Sequence, residues 1–458
     1  MLAYTPLDVI LLILRLLTIE DALSVFTTCR SLREADCRPY WVYANIDIDA
    51  LPGSAGRPRL DYSTFDTSQL RARALRSVAV YRSWRLSSVK PYKIRTIDTD
   101  YRIRRVLPVP WSNLLVILMD DSVYLRDLDT GHDTAITLQS YENTLLLTVK
   151  LFWVDSIHAN VLVVHLAGRA NIGLRSQLQL FMLDIVVASG SATHLASVSV
   201  PYNVSGIDLR GDRLAVYSRY SLSPRTSTIH AFDVAFGSSV TVQDAGVVHF
   251  KTLVGAASFA ILNSRNFIVT GPRGIIVHSL DGASSTSSGP LARPIWCYMF
   301  RHADTLNHPP LGPISSDSRG FVSISISSGE YLRSFTMTQR SPNKRSFAVS
   351  EQRLVDKLPV YLGIAVGHSV GVYRRPYTMP LFVTYSLGDH GLNTHPFDYG
   401  SSIGETPTVL TGSVDFRPSG LETVVPRTIQ LDEEQGRIAL VLRTHNVRVA
   451  RVVVIDLV

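Results

Sequence analysis

A strand–turn–strand unit recurs from about Tyr101 to the end of this chain. Leu114–Leu118 is an aliphatic run, followed by a turn at Asp120–Asp121 and a second strand, Val123–Asp127. Val161–Val164 with Leu178–Asp184, Arg213–Tyr217 with Ile229–Asp233, and Asn266–Thr270 with Gly274–His278 repeat the pattern. Gly320–Ile326 and then Val370–Tyr373 with Leu381–Tyr385 are sparser copies. Arg437–Leu442 with Ala450–Asp456 closes the series. Val, Ile, Leu, Thr and Tyr fill the strands, and Gly, Pro, Asn, Asp and Ser break them, which is the composition of short β-strands and turns. The units recur every ~45 to 70 residues, at or above the usual length of a four-stranded propeller blade. Each unit makes one sheet with two apolar faces, and one sheet cannot bury both by itself.

Radial stacking of the units buries those faces and leaves only short edges exposed. Roughly 350 residues at about 50 per unit predict a β-propeller of about seven blades, with six or eight as neighbouring counts. A pair of β-sandwiches is the alternative packing. The units resemble a degenerate WD-like repeat, since the Gly-His and Trp-Asp dipeptides of that repeat are missing at the unit ends. Strand-like sequence runs to Val458, so the segment near Ile94–Val106 is expected to join the last unit and close the ring. A leucine-rich horseshoe is excluded, because no L-x-x-L-x-L period occurs.

The first fifty residues are of another kind and read as helices. Pro6 suits a first helical turn, and Asp8 suits the positive end of the helix dipole. Val9, Ile10, Ile13, Leu14 and Leu17 follow at three- and four-residue steps and form an apolar stripe. Leu11, Leu12 and Leu16 lie off that stripe, so the helix is apolar nearly all round. Thr18 is placed to cap a second helix, with Asp21 in the Glu position of a capping box. Ala22, Leu23, Val25, Phe26 and Cys29 make that helix's apolar side, and Cys29 is expected in the core. A third short stretch from Arg30 is expected to end at Pro39, with Tyr40, Trp41 and Tyr43 as an aromatic anchor.

Pro6-Leu7-Asp8, Ile10, Ile13-Leu14, Leu17, Asp21-Ala22-Leu23, Val25, Cys29-Arg30 and Trp41 together resemble an F-box. Thr5 stands where that family usually has leucine. The resemblance covers about a tenth of the chain and implies docking on a Skp-type adaptor and, through it, on a cullin. Pro6, Leu7, Ile10, Ile13, Leu14, Leu17, Leu23 and Phe26 are the adaptor contacts it implies. The implied role is substrate receptor of a ubiquitin ligase of the cullin-RING, or SCF, type, in the cytoplasm or nucleus. A helical hairpin packed on the chain's own body is the alternative.

Residues 51–66, LPGSAGRPRLDYSTFD, read as a linker. A helix follows over about 69–84, capped by Thr67 or Ser68, with Leu70, Ala74, Val78 and Tyr81 on its narrow apolar side. Its text, LRARALRSVAVYRSWR, resembles the basic helix that fungal F-box proteins carry between box and C-terminal domain. It is expected to be a rigid spacer docked on both. The organisation is therefore an F-box at 1–50, a linker with the basic helix at 51–100, and the propeller at 101–458. The class is mainly β with a small all-α N-terminus.

The net charge is +7, yet residues 71–105 hold eleven basic against two acidic residues. The rest of the chain is thus slightly acidic, and general nucleic-acid binding is not indicated. Arg71, Arg73, Arg76 and Arg82 are the one candidate polyanion contact, and they support a second reading as a non-catalytic scaffold that touches RNA. A solvated, salt-bridged helix face is the plainer reading of the same arginines.

No G-x-S-x-G elbow, phosphate-loop motif or H-E-x-x-H helix occurs. His158, His165, His302, His308, His368, His390 and His395 are scattered over different units. No catalytic residue, cofactor or metal ligand is assigned, and the chain is expected to be non-catalytic. Cys29, Cys37 and Cys297 are odd in number and show no ligand spacing, which fits a reducing compartment. Leu7–Leu17 lacks a basic flank and a cleavage site, and no apolar span of ~20 residues exists, so neither a signal peptide nor a membrane helix is expected. Residues 282–294, 302–313 and 387–412 are polar loops suited to recognition.

Overall fold

In the computed structural model, the alternating segments form strands and the N-terminal block forms helices. The structure describes residues 5–49 and 62–84 and, between 88 and 458, the strands given below with some of their turns. Five α-helices are described: α1 (Leu7–Leu14), α2 (Ile19–Thr28), α3 (Arg30–Arg33), α4 (Arg38–Asp49) and α5 (Thr67–Trp84). The described strands fall into seven sheets, and the protein is mainly β, as expected.

The chain divides into two compact units. One holds residues 98–361 and 443–451. Its sheets follow chain order. The first runs Arg105–Pro108, Leu114–Leu118, Ser122–Asp127 and Asp133–Thr137. The second runs Leu145–Trp153, Ala159–Ala167, Arg175–Asp184 and Thr193–Pro201. The third runs Val204–Arg210, Arg213–Arg219, Thr226–Ala235 and Thr241–Lys251, with Leu291–Ala292 parallel to its last strand. The fourth runs Ser258–Ile261, Asn266–Gly271, Gly274–Ser279 and Trp296–Met299. The fifth runs Leu311–Ser316, Val322–Ser328, Arg333–Gln339 and Phe347–Arg353. Consecutive strands pair antiparallel, so each sheet is a meander.

The aliphatic run of the first sheet shows why the strands are not strictly alternating. Leu115, Val116, Ile117 and Leu118 are all buried, so both faces of that strand are covered. The hairpin after it is set by register, with Leu118 opposite Val123 and Leu114 opposite Asp127. The Asp127 carboxylate then accepts from the N–H groups of Asp129 at 2.8 Å and Thr130 at 3.2 Å, which turns the chain. Those bonds hold its pKa below the usual carboxylate range. In the fourth sheet, Gly274 is required by close approach, because a Cβ there would collide with the Tyr298 carbonyl.

An aromatic cluster joins the third and fourth sheets. Phe250 lies 5.5 Å from Phe267, centroid to centroid, and Tyr217 stacks near Phe250 and Phe259. His278 stands directly opposite Phe267 in the ladder, stacks on it at 5.3 Å, and meets Phe250 at 4.7 Å. Its side chain is 1% exposed. Burial pushes its pKa down to about 4, against a smaller upward pull from the Arg293 backbone.

The other unit holds residues 1–97, 362–442 and 452–458. It contains the helices and the sixth sheet: Ile364–Val366, Val370–Arg374, Leu381–Leu387 and Thr408–Val414, with Ser88–Val89 parallel at its edge. The seventh sheet has the order Lys93–Thr99, Ala450–Asp456, Arg437–Arg443, Val425–Asp432. An early strand therefore completes the last sheet. The segment expected to do this reached Val106, but the joining strand ends at Thr99, and Arg105–Pro108 begins the first sheet instead.

Asp456 holds that join. Its carboxylate, 5% exposed, accepts from Arg437 Nε at 2.6 Å and is also ion-paired with Arg95. The Tyr92 N–H donates to the Asp456 carbonyl at 2.8 Å. At the turn before Arg437, Gly436 has φ +64°, and a Cβ there would press on Val80 of α5 at 3.2 Å.

Two outcomes are expected. Asp456→Asn leaves two guanidinium groups without their anion and lowers stability by about 3–5 kcal/mol. Urea unfolding of the variant beside the wild type measures this, and a change under ~1 kcal/mol would count against the ion cluster. His278 stays neutral when folded but takes a proton near pH 6.5 when unfolded, so its contribution is whole above that pH and shrinks as pH falls towards about 4. That loss is at most about 3 kcal/mol. His278→Phe is expected to flatten the fall of the thermal midpoint between pH 6.5 and 4.5, and identical profiles for both proteins would contradict it.

Candidate docking site

The helices build a core that is small but complete. Ile10 and Leu14 of α1, Ile19, Ala22 and Phe26 of α2, and Tyr40, Trp41, Ala44 and Ile48 of α4 are buried together with Leu70, Ala74 and Val78 of α5. Phe26, Tyr40 and Trp41 meet edge to face, with Tyr40 and Trp41 4.9 Å apart. Trp41 Nε1 donates to Asp36 at 2.6 Å, so its one polar atom is satisfied.

Two capping motifs set the helix starts. The Thr18 hydroxyl oxygen accepts from the Asp21 N–H at 3.1 Å, as the spacing predicts. Asp is one methylene shorter than Glu, and its carboxylate meets the Thr18 hydroxyl at 2.7 Å. For α5 the cap is Asp66, one position before the expected Thr67 or Ser68. Asp66 accepts from the Gln69 N–H at 2.8 Å, and Gln69 Oε1 accepts from the Asp66 N–H at 3.0 Å. Ser68 adds a bond to the same carboxylate, and these donors hold its pKa down. Pro39, expected to end a helix, sits in the first turn of α4, where its missing N–H leaves no bond unmade. Cys29, expected in the core, is exposed at the junction of α2 and α3.

A buried polar link fastens α4 to α5. Asn45, fully buried, donates to the carbonyls of Trp41 at 2.8 Å and Leu70 at 2.9 Å. Its Oδ1 accepts from Arg73 Nη1 at 2.8 Å, and the same nitrogen reaches the Tyr62 hydroxyl at 2.8 Å. Arg71 pairs with Asp36 at 3.2 Å, and Arg82 pairs with Glu20 at 2.5 Å. Three of the four arginines considered for polyanion contact thus brace α5 against α2, α4 and the α3–α4 turn. Arg76 is half-buried. These contacts fit the plainer reading of a salt-bridged helix face. The reason is geometric, since acceptors lie within reach on the neighbouring helices.

What remains outside this core is an apolar surface. Leu7, Val9, Leu12, Ile13 and Leu16 are exposed, with Leu12 at 57% and Leu16 at 55%. Tyr43 and Ile46, one turn apart on α4, are exposed as well. The Arg15 guanidinium lies over the Tyr43 ring and so connects the two helices.

The expected adaptor contacts divide between the two sides. Pro6, Leu7 and Ile13 are on the exposed side. Leu17 and Leu23 are half-buried against the core. Ile10, Leu14 and Phe26 are buried in it, at 5%, 1% and 3% exposure, and face the helical core. The stripe of three- and four-residue steps is therefore split: Ile10 and Leu14 face inward and Leu17 packs beside them, whereas Val9 and Ile13 are exposed together with Leu12 and Leu16.

The recognition loops fall mostly outside the described residues, as do His158, His302, His308, His368, His390 and His395 and the side chain of His165. Among the described residues, no group of three or more His, Cys, Asp or Glu could hold a metal ion. No described helix is long and apolar enough to cross a membrane.

No family model matches the chain, and no curated protein matches it. Similar solved structures include the WD40 domain of SCAP from fission yeast, at 8% identity and TM-score 0.39, over 77% of this chain and 84% of that one. The N-terminal domain of Nup159 is similar at 8% identity and TM-score 0.30, over 77% and 76%. A complex of S. cerevisiae Dbp5 bound to Nup159 and Gle1 has the same values.

Asn45→Ala removes two carbonyl partners and the acceptor of Arg73 in a dry site. It is expected to destabilise the helical core by about 2–3 kcal/mol. Urea unfolding followed by Trp41 and Trp84 fluorescence reads this, and a neutral substitution would contradict the link.

Proposed function

We propose that the chain is an F-box-type substrate receptor, in which the exposed face of α1 docks a Skp-type adaptor and through it a cullin. The exposed apolar row Leu7, Val9, Leu12, Ile13 and Leu16 carries this reading. The helices already have a core of their own, so this row is surplus to folding. Val9, Leu12, Ile13 and Leu16 fall within about a third of the helix circumference, and exposed apolar side chains grouped in this way suit an interaction site. The ordered resemblance from Pro6 to Trp41 supplies the identity of the partner.

In the same reading, the seven meanders are the blades of one propeller, closed by Lys93–Thr99 in the last sheet. The propeller presents a protein substrate, and the chain performs no bond chemistry itself. Its contribution is proximity: tethering substrate near a ubiquitin-charged partner makes the encounter nearly unimolecular. The helix α5 suits the role of spacer, since it shares the core of α1–α4 and rests Val80 on the Gly436 turn. The engagement of Arg71, Arg73 and Arg82 within the helices favours this reading over a nucleic-acid scaffold.

The test is co-purification with a Skp-type adaptor. Leu12→Asp with Leu16→Asp is expected to reduce affinity at least about 30-fold, equivalent to the loss of one hot spot of ~2 kcal/mol, with the thermal midpoint unchanged. Leu14→Asp is expected to unfold the helices instead, because Leu14 is core. A folded wild-type protein that ignores the adaptor would reject the reading.

A further inference from the structure

We infer that residues 291–295 form an acid-released strap, which crosses from the outer edge of the third sheet to the fourth and seats on two buried histidines, His249 and His278. The inference is independent of the docking reading. It comes from the path of the strap and from what lies beneath it.

Leu291–Ala292 runs parallel to the last strand of the third sheet, with Leu291 opposite His249 and Ala292 opposite Phe250. The Ile295 N–H then donates to the Val277 carbonyl at 2.9 Å, and Trp296–Met299 becomes the outer strand of the fourth sheet. The hold on the third sheet is two residues long, and Leu291 is 46% exposed. His249 is buried in the strand beneath, and its Nε2 has no hydrogen-bond partner among the described residues. His278 follows Val277. The Arg293 backbone pulls on it from outside bonding geometry, so neither ring nitrogen is hydrogen-bonded among the described residues. Ala292 packs against the cluster that contains Phe250, the ring His278 meets at 4.7 Å.

Burial lowers the pKa of both imidazoles, so both are neutral while the strap is closed. The other titratable or charged residues described on the surrounding elements are His230, Asp233, Asp244, Lys251 and Arg293. Asp233 pairs with Arg213, Asp244 accepts from the Gly246 N–H, and no side-chain charge among the described residues shifts either imidazole. A proton on either ring needs water. Lifting a two-residue strap admits water at far less cost than parting a sheet. The closed form binds fewer protons, so opening grows as pH falls from about 6.5 towards about 4. It returns the outer edge of Thr241–Lys251 to solvent.

The experiment is hydrogen exchange of the full chain, read by mass spectrometry at about pH 7.5, 6 and 5, with labelling times scaled to the intrinsic rate. Residues 246–251 and 291–299 are expected to lose protection at least about tenfold from the first pH to the last, while Arg213–Arg219 keeps its own. The logarithm of opening against pH is expected to approach a slope of about two in the wild type and about one in His249→Gln, and to be flat in His249→Gln/His278→Phe. Equal loss of protection in all three segments, or none, would overturn the strap. So would a double variant, folded by circular dichroism, that opens as the wild type does. If the double variant does not fold, His249→Gln alone decides, since an unchanged slope removes the histidine from the device.

Discussion

One buried carboxylate decides how the two ends of the chain meet. Asp456 takes Arg437 from its own sheet and Arg95 from a strand more than three hundred residues earlier. Without Lys93–Thr99, the seventh sheet would have three strands, and Ala450–Asp456 would present an open edge. Desolvation offsets most of the attraction in such a buried cluster, so the gain in net energy is small. Its effect is selective. A strand with a cation at the Arg95 position gives the second carboxylate oxygen a partner, while Arg437 already serves the first.

The same join governs the helices. Lys93–Thr99 follows α5 closely in sequence, so closing the last sheet also brings α5 to it. Val80 packs where Gly436 has no Cβ, and the positive φ at Gly436 makes the tight turn that admits it. On its other side α5 gives Leu70, Ala74 and Val78 to the helical core. The arginine-rich text of this helix reads differently in that setting. Arg71, Arg73 and Arg82 are the struts by which one long helix is held against three short ones.

Much of this architecture was legible in the residues, and the exceptions have causes. Strand positions were plain because aliphatic runs bounded by Asp, Asn and Gly have few other uses. The Thr18 cap was plain because the hydroxyl and the third-position acid act over four residues. The inward side of α1 was not, because a helix apolar nearly all round offers no contrast to a periodicity. Its orientation is set by Phe26, Trp41 and Leu70, which approach from other segments. Pro39 misled for a related reason. Proline stops a helix only from its interior, and Cys37–Arg38 had placed it at a beginning. The bonds of Asn45 and Asp456 span distances in sequence that no local pattern records.

The contrast between the two sides of α1 bears on why the outer one is apolar at all. Ile10 and Leu14, with Leu11 and Leu17 beside them, seat the helix in its core. Stability would be equally served by lysine or glutamate at positions 9, 12, 13 and 16, whose stems can lie along the helix while their charges stay in water. Leucine, isoleucine and valine there lower solubility and leave a surface prone to self-association. The helix thus has two unlike sides: one is complete in this chain, and the other leaves apolar side chains exposed.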